Sequence, residues 1–566
     1  MKANPLLLTD FYKISHRIMS AKGTEKIYSV MTPRASRIKG VNEVVFFGNQ
    51  GFNQEWLVDY FNKNFFSRDL DEVVKEYKRI IKYTLGDDCA NTEHIEALHK
   101  LGYLPLLIKA VPEGTSVPIR VPMMTIENTL PEFYWLVNFL ETLISSEMWR
   151  SITAATISKI YFDLANEYSD LTCDSREHVM WQMHNFSYRG MSGNADATKT
   201  GAACLLFSSG TDTIPSILYL EDYYGANVEK ELVGASVLAT EHSIQCQYQD
   251  DYEYTKRMLT EIAPSGIVSV VSDGYDYWNV ITNVIPRLKE VIMSRDGKYV
   301  VRPDSGNPAD IICGTVEMED FTKDCKDLDT AILWAKEGIE EEVIEDAGHG
   351  ERGALDYTEY FRYDGKVYEL KLDFFWNRHD KQYYYLDETT VKSCKEHELK
   401  VEQKGSIESL WEIFGGEVNN KGYKVLDSHI GLIYGDAITP DVARDIFKRL
   451  KRKGFASSNI VFGVGSYSLG HHTRDTFGMA IKATFTIING EEINIFKDPM
   501  TDNGVKKSQK GKVAVYRNSE GVITYVDDLS TKEEESFEGN MLETVFIDGK
   551  VVRFQTLEDV RTIVRA

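Results

Sequence analysis

The chain has 566 residues, 43% apolar and 11% aromatic, enough for an ample core and roughly two or three domains. Its formal charge of -23 at pH 7 excludes a nucleic-acid backbone or an anionic membrane surface as the main partner, because both would repel it. Seven cysteines, at 89, 173, 204, 246, 313, 325 and 394, include no CxxC pair, which argues against a disulfide framework or zinc site and fits a reducing cytoplasm.

The apolar run within residues 1–10 is short for a signal peptide, and no stretch of about 18 apolar residues occurs. Strand-like runs at 26–31, 44–47 and 106–111 mix with helical periodicity at 54–63 and 70–83, the pattern of an α+β layer. From about residue 131 the spacing predicts a helix over 133–149 and another over 154–167. Short β-rich runs ending in polar loops then predict βα units. Segment 316–404 holds 24 Asp or Glu against 13 Lys or Arg, 11 of the chain's 23 net negative charges, and reads as an insertion. Asp364-Gly365 marks a hairpin turn within 359–371, and Trp376 with the tyrosines 383–385 offers a contact surface. The βα pattern resumes at 433–436 and 459–470, and the chain ends in strands and turns around a basic run at 506–512.

Two segments organise the candidate site. Residues 269–276 and 300–308 each put acidic and polar groups straight after β-branched runs, the mark of buried strands whose carboxyl ends carry chemistry. Asp273, Arg302 and Asp304 are therefore expected at one mouth. Two such carboxylates suit a hydrated Mg²⁺ or ribose hydroxyls, whereas a helix N-cap accounts for either aspartate alone. Arg302, two residues before Asp304, would point the same way in a strand and favours the site.

His242 follows the apolar run 235–238, and neighbouring Glu241 would raise its basicity. Acid, base, phosphoryl acceptor and satisfied structural histidine all stay open. Gly463-Val-Gly-Ser-Tyr-Ser is not the dinucleotide fingerprint, and no GxxxxGK[ST] loop exists. A strand running into such a turn still lets backbone N–H groups approach a phosphate, with Arg474 nearby to supply bidentate charge; an unliganded turn would look the same. By pattern alone Asp212 is a cap or turn residue, and Tyr12 and Phe186 are core aromatics.

Taken in order, Leu8-Thr-Asp-Phe-Tyr-Lys13, His184-Asn-Phe-Ser-Tyr-Arg-Gly190, Gly210-Thr-Asp-Thr213, Glu241-His-Ser243, Val268-Ser-Val-Val-Ser-Asp273, Arg302-Pro-Asp-Ser-Gly-Asn-Pro308, Gly435-Asp436, Thr473-Arg-Asp475 and Phe496-Lys-Asp-Pro499 carry a resemblance. Together they resemble the nicotinamide phosphoribosyltransferases of the type II phosphoribosyltransferase family, over nearly the whole chain except 316–404. The resemblance implies an α/β fold: an irregular α/β barrel over 151–480, and a second α+β domain built from both chain ends, 1–150 and 481–566. It also implies a cytoplasmic homodimer with active sites at the subunit interface. The implied reaction is that of a pentosyltransferase in NAD salvage, joining nicotinamide to phosphoribosyl pyrophosphate with Mg²⁺.

The resemblance further implies roles. Phe186, with Tyr12 from a partner subunit, would sandwich the pyridine ring. Asp212 would accept from the carboxamide NH₂ and repel nicotinate. Ser269 and Arg302 would address the carboxamide oxygen or nearby substrate groups, and Asp273 and Asp304 the ribose and Mg²⁺. Gly435, Asp436, Gly465, Ser466 and Arg474 would hold the ribose and 5′-phosphate, with Ser466 and Tyr467 standing where the family has glycines. Arg34, Arg189, Lys482 and Lys497 would gather pyrophosphate, and ATP would phosphorylate His242. The rival readings are a nicotinate or other pyridine phosphoribosyltransferase, and a non-catalytic binding protein on the same fold.

Overall fold

The computed structural model describes residues 3–346, 352–378, 384–496 and 509–565. By contacts the chain forms two compact units, one of residues 1–162, 183–236 and 465–566, the other of 163–182 and 237–464.

The first unit is built on an antiparallel sheet in the order Glu491–Asn494, Met479–Ile488, Thr24–Pro33, Met124–Asn128, Leu106–Ala110, Glu543–Ile547, Lys550–Val551. Its strands come from both ends of the sequence. Tyr28, Val30, Met31, Ile108, Ile126, Phe485 and Phe546 fill the core of this layer; full burial of each such side chain is worth about 1.5–3 kcal/mol. In the same unit Met183–Asn185 pairs in parallel with Gly210–Thr211, and Gly210 bridges Ala235, so three stretches distant in sequence end side by side.

The helical run expected over 133–149 and 154–167 folds differently. A short helix Trp135–Phe139 is followed by one continuous helix, Glu141–Thr172. The gap expected at 150–153 holds Arg-Ser-Ile-Thr, which lacks Gly or Pro, and Ser151, Ile152 and Thr153 are buried. Farther on, the hydroxyls of Thr156 and Ser158 donate back to the carbonyls of Ile152 and Ala154, so they cap nothing.

The second unit carries a parallel sheet in the order Leu238–Ala239, Val268–Val271, Tyr299–Arg302, Ile430–Tyr434, Ile460–Val464, each strand beside its sequence neighbour. Sequential parallel pairing is the rule of a βα barrel, and here it gives a curled half-barrel within a mixed α/β fold. All four residues of Val268–Val271 are buried, as a strand covered on both faces requires. The helix Pro440–Arg452 shows how the cover forms: Thr439 accepts from the Val442 amide at the N-cap, Pro440 opens the first turn, and Ala443, Ile446, Phe447 and Leu450 face inward.

The acidic segment folds within this unit as a sheet of Glu319–Asp320, Arg352–Tyr363, Lys366–Arg378 and Tyr384–Glu396, backed by the helix Leu328–Asp346. Phe321, Ala331, Ala335, Phe361, Leu370 and Leu372 form its own core. The expected hairpin turn is present, with φ of 49° at Asp364 and 74° at Gly365. Residues 381–383 and the side chain of Trp376 lie outside the described residues, so the suggested contact surface does as well. No helix among the described residues is long and apolar enough to cross a membrane, and all seven cysteines are free.

Candidate functional site

In the second unit, chemistry gathers at the carboxyl ends of Val268–Val271 and Tyr299–Arg302. These strands pair in register, and the Ser272 amide donates to Arg302 O at 3.0 Å, which brings the two following loops together. Asp273, with a 2% exposed side chain, lies 3.0 Å through Oδ1 from His242 Nε2. Its Oδ2 accepts from Ser305 Oγ at 2.6 Å and from the Asp304 amide at 2.9 Å. Burial works to raise the Asp273 pKa, but these hydrogen bonds outweigh it and hold the carboxyl below its usual range. For Asp304 burial wins over the pull of Arg302, and its pKa is raised. Arg302 Nη2 stands 3.7 Å from Asp304 Oδ2, and Nη1 donates to Thr240 O at 3.1 Å.

Arg302, Asp304, Asp273 and His242 therefore share one mouth. Neither aspartate is a helix cap: Asp276 caps Tyr277–Asn279, and Asn307 caps Pro308–Cys313. The histidine's carboxylate partner is Asp273, not Glu241, whose Oε1 accepts from Ser243 Oγ instead. Ser269 is buried, and its Oγ has no hydrogen-bond partner among the described residues. Gly435 and the exposed Asp436 follow the strand Ile430–Tyr434, and Asp436 lies within electrostatic range of Asp304.

In the first unit, Asp212 follows the strand Gly210–Thr211 and is no cap; Thr213 occupies the N-cap position of the next helix. Asp212 Oδ1 accepts from Ser236 Oγ at 2.7 Å and lies 2.9 Å from His184 Nε2. The His184 ring stands 4.9 Å from that of Phe186. Phe186 is half-buried and Tyr12 is 57% exposed, so neither is the core aromatic that pattern alone suggested.

Tyr12 lies on the helix Phe11–Met19 beside a charged patch. Burial, Glu141 and Asp10 push its hydroxyl pKa up, against Lys482 and Arg474, which lower it. Lys482 pairs with Glu141 at 3.1 Å and Arg474 with Asp475 at 3.0 Å. Arg34 Nε donates to Gly478 O at 3.1 Å. Gly465 precedes the helix Ser466–Leu469; Ser466 Oγ fills the space a Cβ on Gly190 would need, which sets this turn against the exposed Arg189. Lys497 lies outside the described residues.

Two contributors stood out little in the sequence. Ser236 sits in an ordinary apolar stretch, and only the bridge from Gly210 to Ala235 places it beside Asp212. Ser305 lay inside the 302–308 motif, where a strand-end hydroxyl was the available clue. As for a divalent cation, no group of three His, Cys, Asp or Glu able to hold one occurs among the described residues, and both oxygens of Asp273 already have donors. A divalent cation here would meet Asp304 and Asp273 through its waters rather than by direct ligation.

Residues 181–334 and 392–550 match the nicotinate phosphoribosyltransferase (NAPRTase) family. A protein of Acinetobacter baylyi called nicotinamide phosphoribosyltransferase is 40% identical, over 99% of this chain and 97% of its own. A protein of the same name from Mycoplasma genitalium is 31% identical, over 89% of this chain and 94% of its own. A third, from Xanthomonas campestris pv. campestris, is 29% identical, over 99% and 97%.

Proposed function

The chain belongs to the nicotinate phosphoribosyltransferase family, and from that premise we propose that it is a pentosyltransferase of NAD salvage, converting nicotinamide and phosphoribosyl pyrophosphate to nicotinamide mononucleotide and pyrophosphate. The observation that carries nicotinamide over nicotinate is Asp212, a carboxylate that accepts from Ser236 and from His184, whose ring in turn packs against Phe186. It would accept from a carboxamide NH₂ and repel a carboxylate. The names of the three relatives support the same choice.

In this reading the pyridine nitrogen attacks C1 of the ribose while the C1–O bond to pyrophosphate breaks, the leaving group taking the electron pair and no proton moving at the ring. Alignment and charge stabilisation supply the rate. Phe186 would cover one ring face and Tyr12 of the partner subunit the other, in a homodimer. Tyr12, Lys482 and Arg474 share one patch of a chain. Lys482 of the partner subunit and Arg474 of the partner subunit would therefore arrive with that ring.

Ser269 and Arg302 would serve the carboxamide or nearby substrate groups. Asp273, Asp304 and Asp436 would take ribose hydroxyls, and the first two would also steady a hydrated Mg²⁺. When bound, the cation supplies charge neutralisation to the departing pyrophosphate. Gly435, Gly465 and Ser466 would receive the ribose and 5′-phosphate, and Arg34, Arg189 and Lys497 the pyrophosphate. ATP would phosphorylate His242, placing negative charge beside the Asp304 mouth. The test is turnover of nicotinamide against nicotinate: Asp212→Asn should narrow the preference, and an unchanged preference removes Asp212 from this role.

A further inference from the structure

Asp212 does not orient itself. Its side chain is 47% exposed, on a loop after a two-residue strand, a setting where burial alone does not fix a carboxylate's rotamer. Two neighbours oppose its rotation. His184 belongs to the strand paired with Gly210–Thr211, and Ser236 follows the residue that bridges Gly210 on its other side. Both reach the same oxygen, Oδ1, at 2.9 and 2.7 Å.

The imidazole can approach because residue 210 is glycine. A Cβ there would stand 2.7 Å from His184 Nδ1, so any side chain would push the ring off its seat. With Nε2 donating to Asp212, the neutral tautomer carries its proton on Nε2 and leaves Nδ1 bare against the Gly210 backbone. The His184 side chain is 12% exposed and also packs against Phe186, so one ring braces both the flat face and the carboxylate of this corner.

We infer that His184 and Ser236 are positioning residues for amide recognition, clamping Oδ1 of Asp212 so that the carboxylate holds one orientation toward the pyridine substituent, with Gly210 providing the space. This rests on the reading of Asp212 as the group that distinguishes nicotinamide from nicotinate. A carboxylate fixed by two donors discriminates through a defined geometry, whereas a rotating one meets amide and acid alike through solvent.

The test is steady-state kinetics of the full-length chain with nicotinamide and with nicotinate at saturating phosphoribosyl pyrophosphate, for the native protein, His184→Ala, His184→Gln, Ser236→Ala and Asp212→Asn. His184→Ala should raise KM for nicotinamide about 10-fold and lower the nicotinamide-over-nicotinate ratio of kcat/KM by a similar factor. KM for phosphoribosyl pyrophosphate, measured separately at saturating nicotinamide, should not move, which a general loss of structure would not allow. Ser236→Ala should shift the ratio the same way by a smaller factor, and it tests the claim even where loss of the imidazole impairs folding. His184→Gln, whose amide can still donate, should recover part of the preference. If Asp212→Asn lowers the ratio while His184→Ala and Ser236→Ala leave it unchanged, the inference is overturned and the proposed function stands. If Asp212→Asn changes nothing, both this inference and the role of Asp212 fall.

Discussion

The imidazole of His242 and the carboxylate of Asp273 face each other at 3.0 Å, although 31 residues separate them in the chain. The contact exists because the strand leading to Asp273 is flanked in parallel by Leu238–Ala239, whose continuation begins the short helix His242–Gln245. Asp273 is itself fixed by Ser305 and the Asp304 amide, so the histidine is oriented by a group with little freedom of its own.

That orientation fixes which nitrogen is nucleophilic. With Nε2–H donated to Asp273, the lone pair resides on Nδ1, and the proposed phosphoryl transfer from ATP would label Nδ1 of His242. Incubation with γ-labelled ATP followed by phosphohistidine isomer analysis checks this. Label at Nε2 would mean the pair must break before reaction, and His242→Asn should abolish labelling together with any stimulation by ATP.

Asp273 also makes a statement about pH. Its folded pKa lies below the usual carboxylate value, so it contributes stability that is present above the unfolded value, about 3.9, and is lost as pH falls through the lower folded value. The difference in unfolding free energy between native chain and Asp273→Asn should be constant above about pH 5 and shrink below about pH 4. Chemical unfolding at several pH values measures it; a difference that grows on acidification would contradict the assignment.

At the other end of the chain Arg561 is 4% exposed, and its guanidinium donates to the carbonyls of Leu205, Leu232 and Val233. Burial pushes its pKa down to about 10. It thus ties the C-terminal helix to the stretches on either side of Asp212. Arg561→Ala should cost about 3 kcal/mol, since it strands the buried carbonyls of Leu205 and Val233, and should lower Tm in calorimetry.

The hairpin of the acidic segment needs left-handed backbone at Gly365, φ 74°. Gly365→Val should cost about 1–2 kcal/mol locally. It should speed amide exchange in residues 357–371 while leaving the rate of nicotinamide turnover within about twofold, because that sheet has its own core. A collapse of turnover would make the segment part of the chemistry.

The sequence by itself determined what is written in local patterns. β-branched runs gave the buried parallel strands, their polar ends gave Asp273, Arg302 and Asp304, and Asp364-Gly365 gave a hairpin turn, because burial and backbone preference act over a few residues. It could not determine pairings between distant segments. Whether His242 meets Glu241 or Asp273, whether Ser236 reaches Asp212, and whether Tyr12 is buried or exposed depend on which strands lie side by side and how loops leave them. The helix Glu141–Thr172 makes the same point from the other direction: it runs unbroken through 150–153, between the two expected helices, where Ser151, Ile152 and Thr153 are buried. Only the folded chain could settle these matters, because hydrogen bonds between side chains depend on ångström-scale placement that spacing along a sequence does not encode.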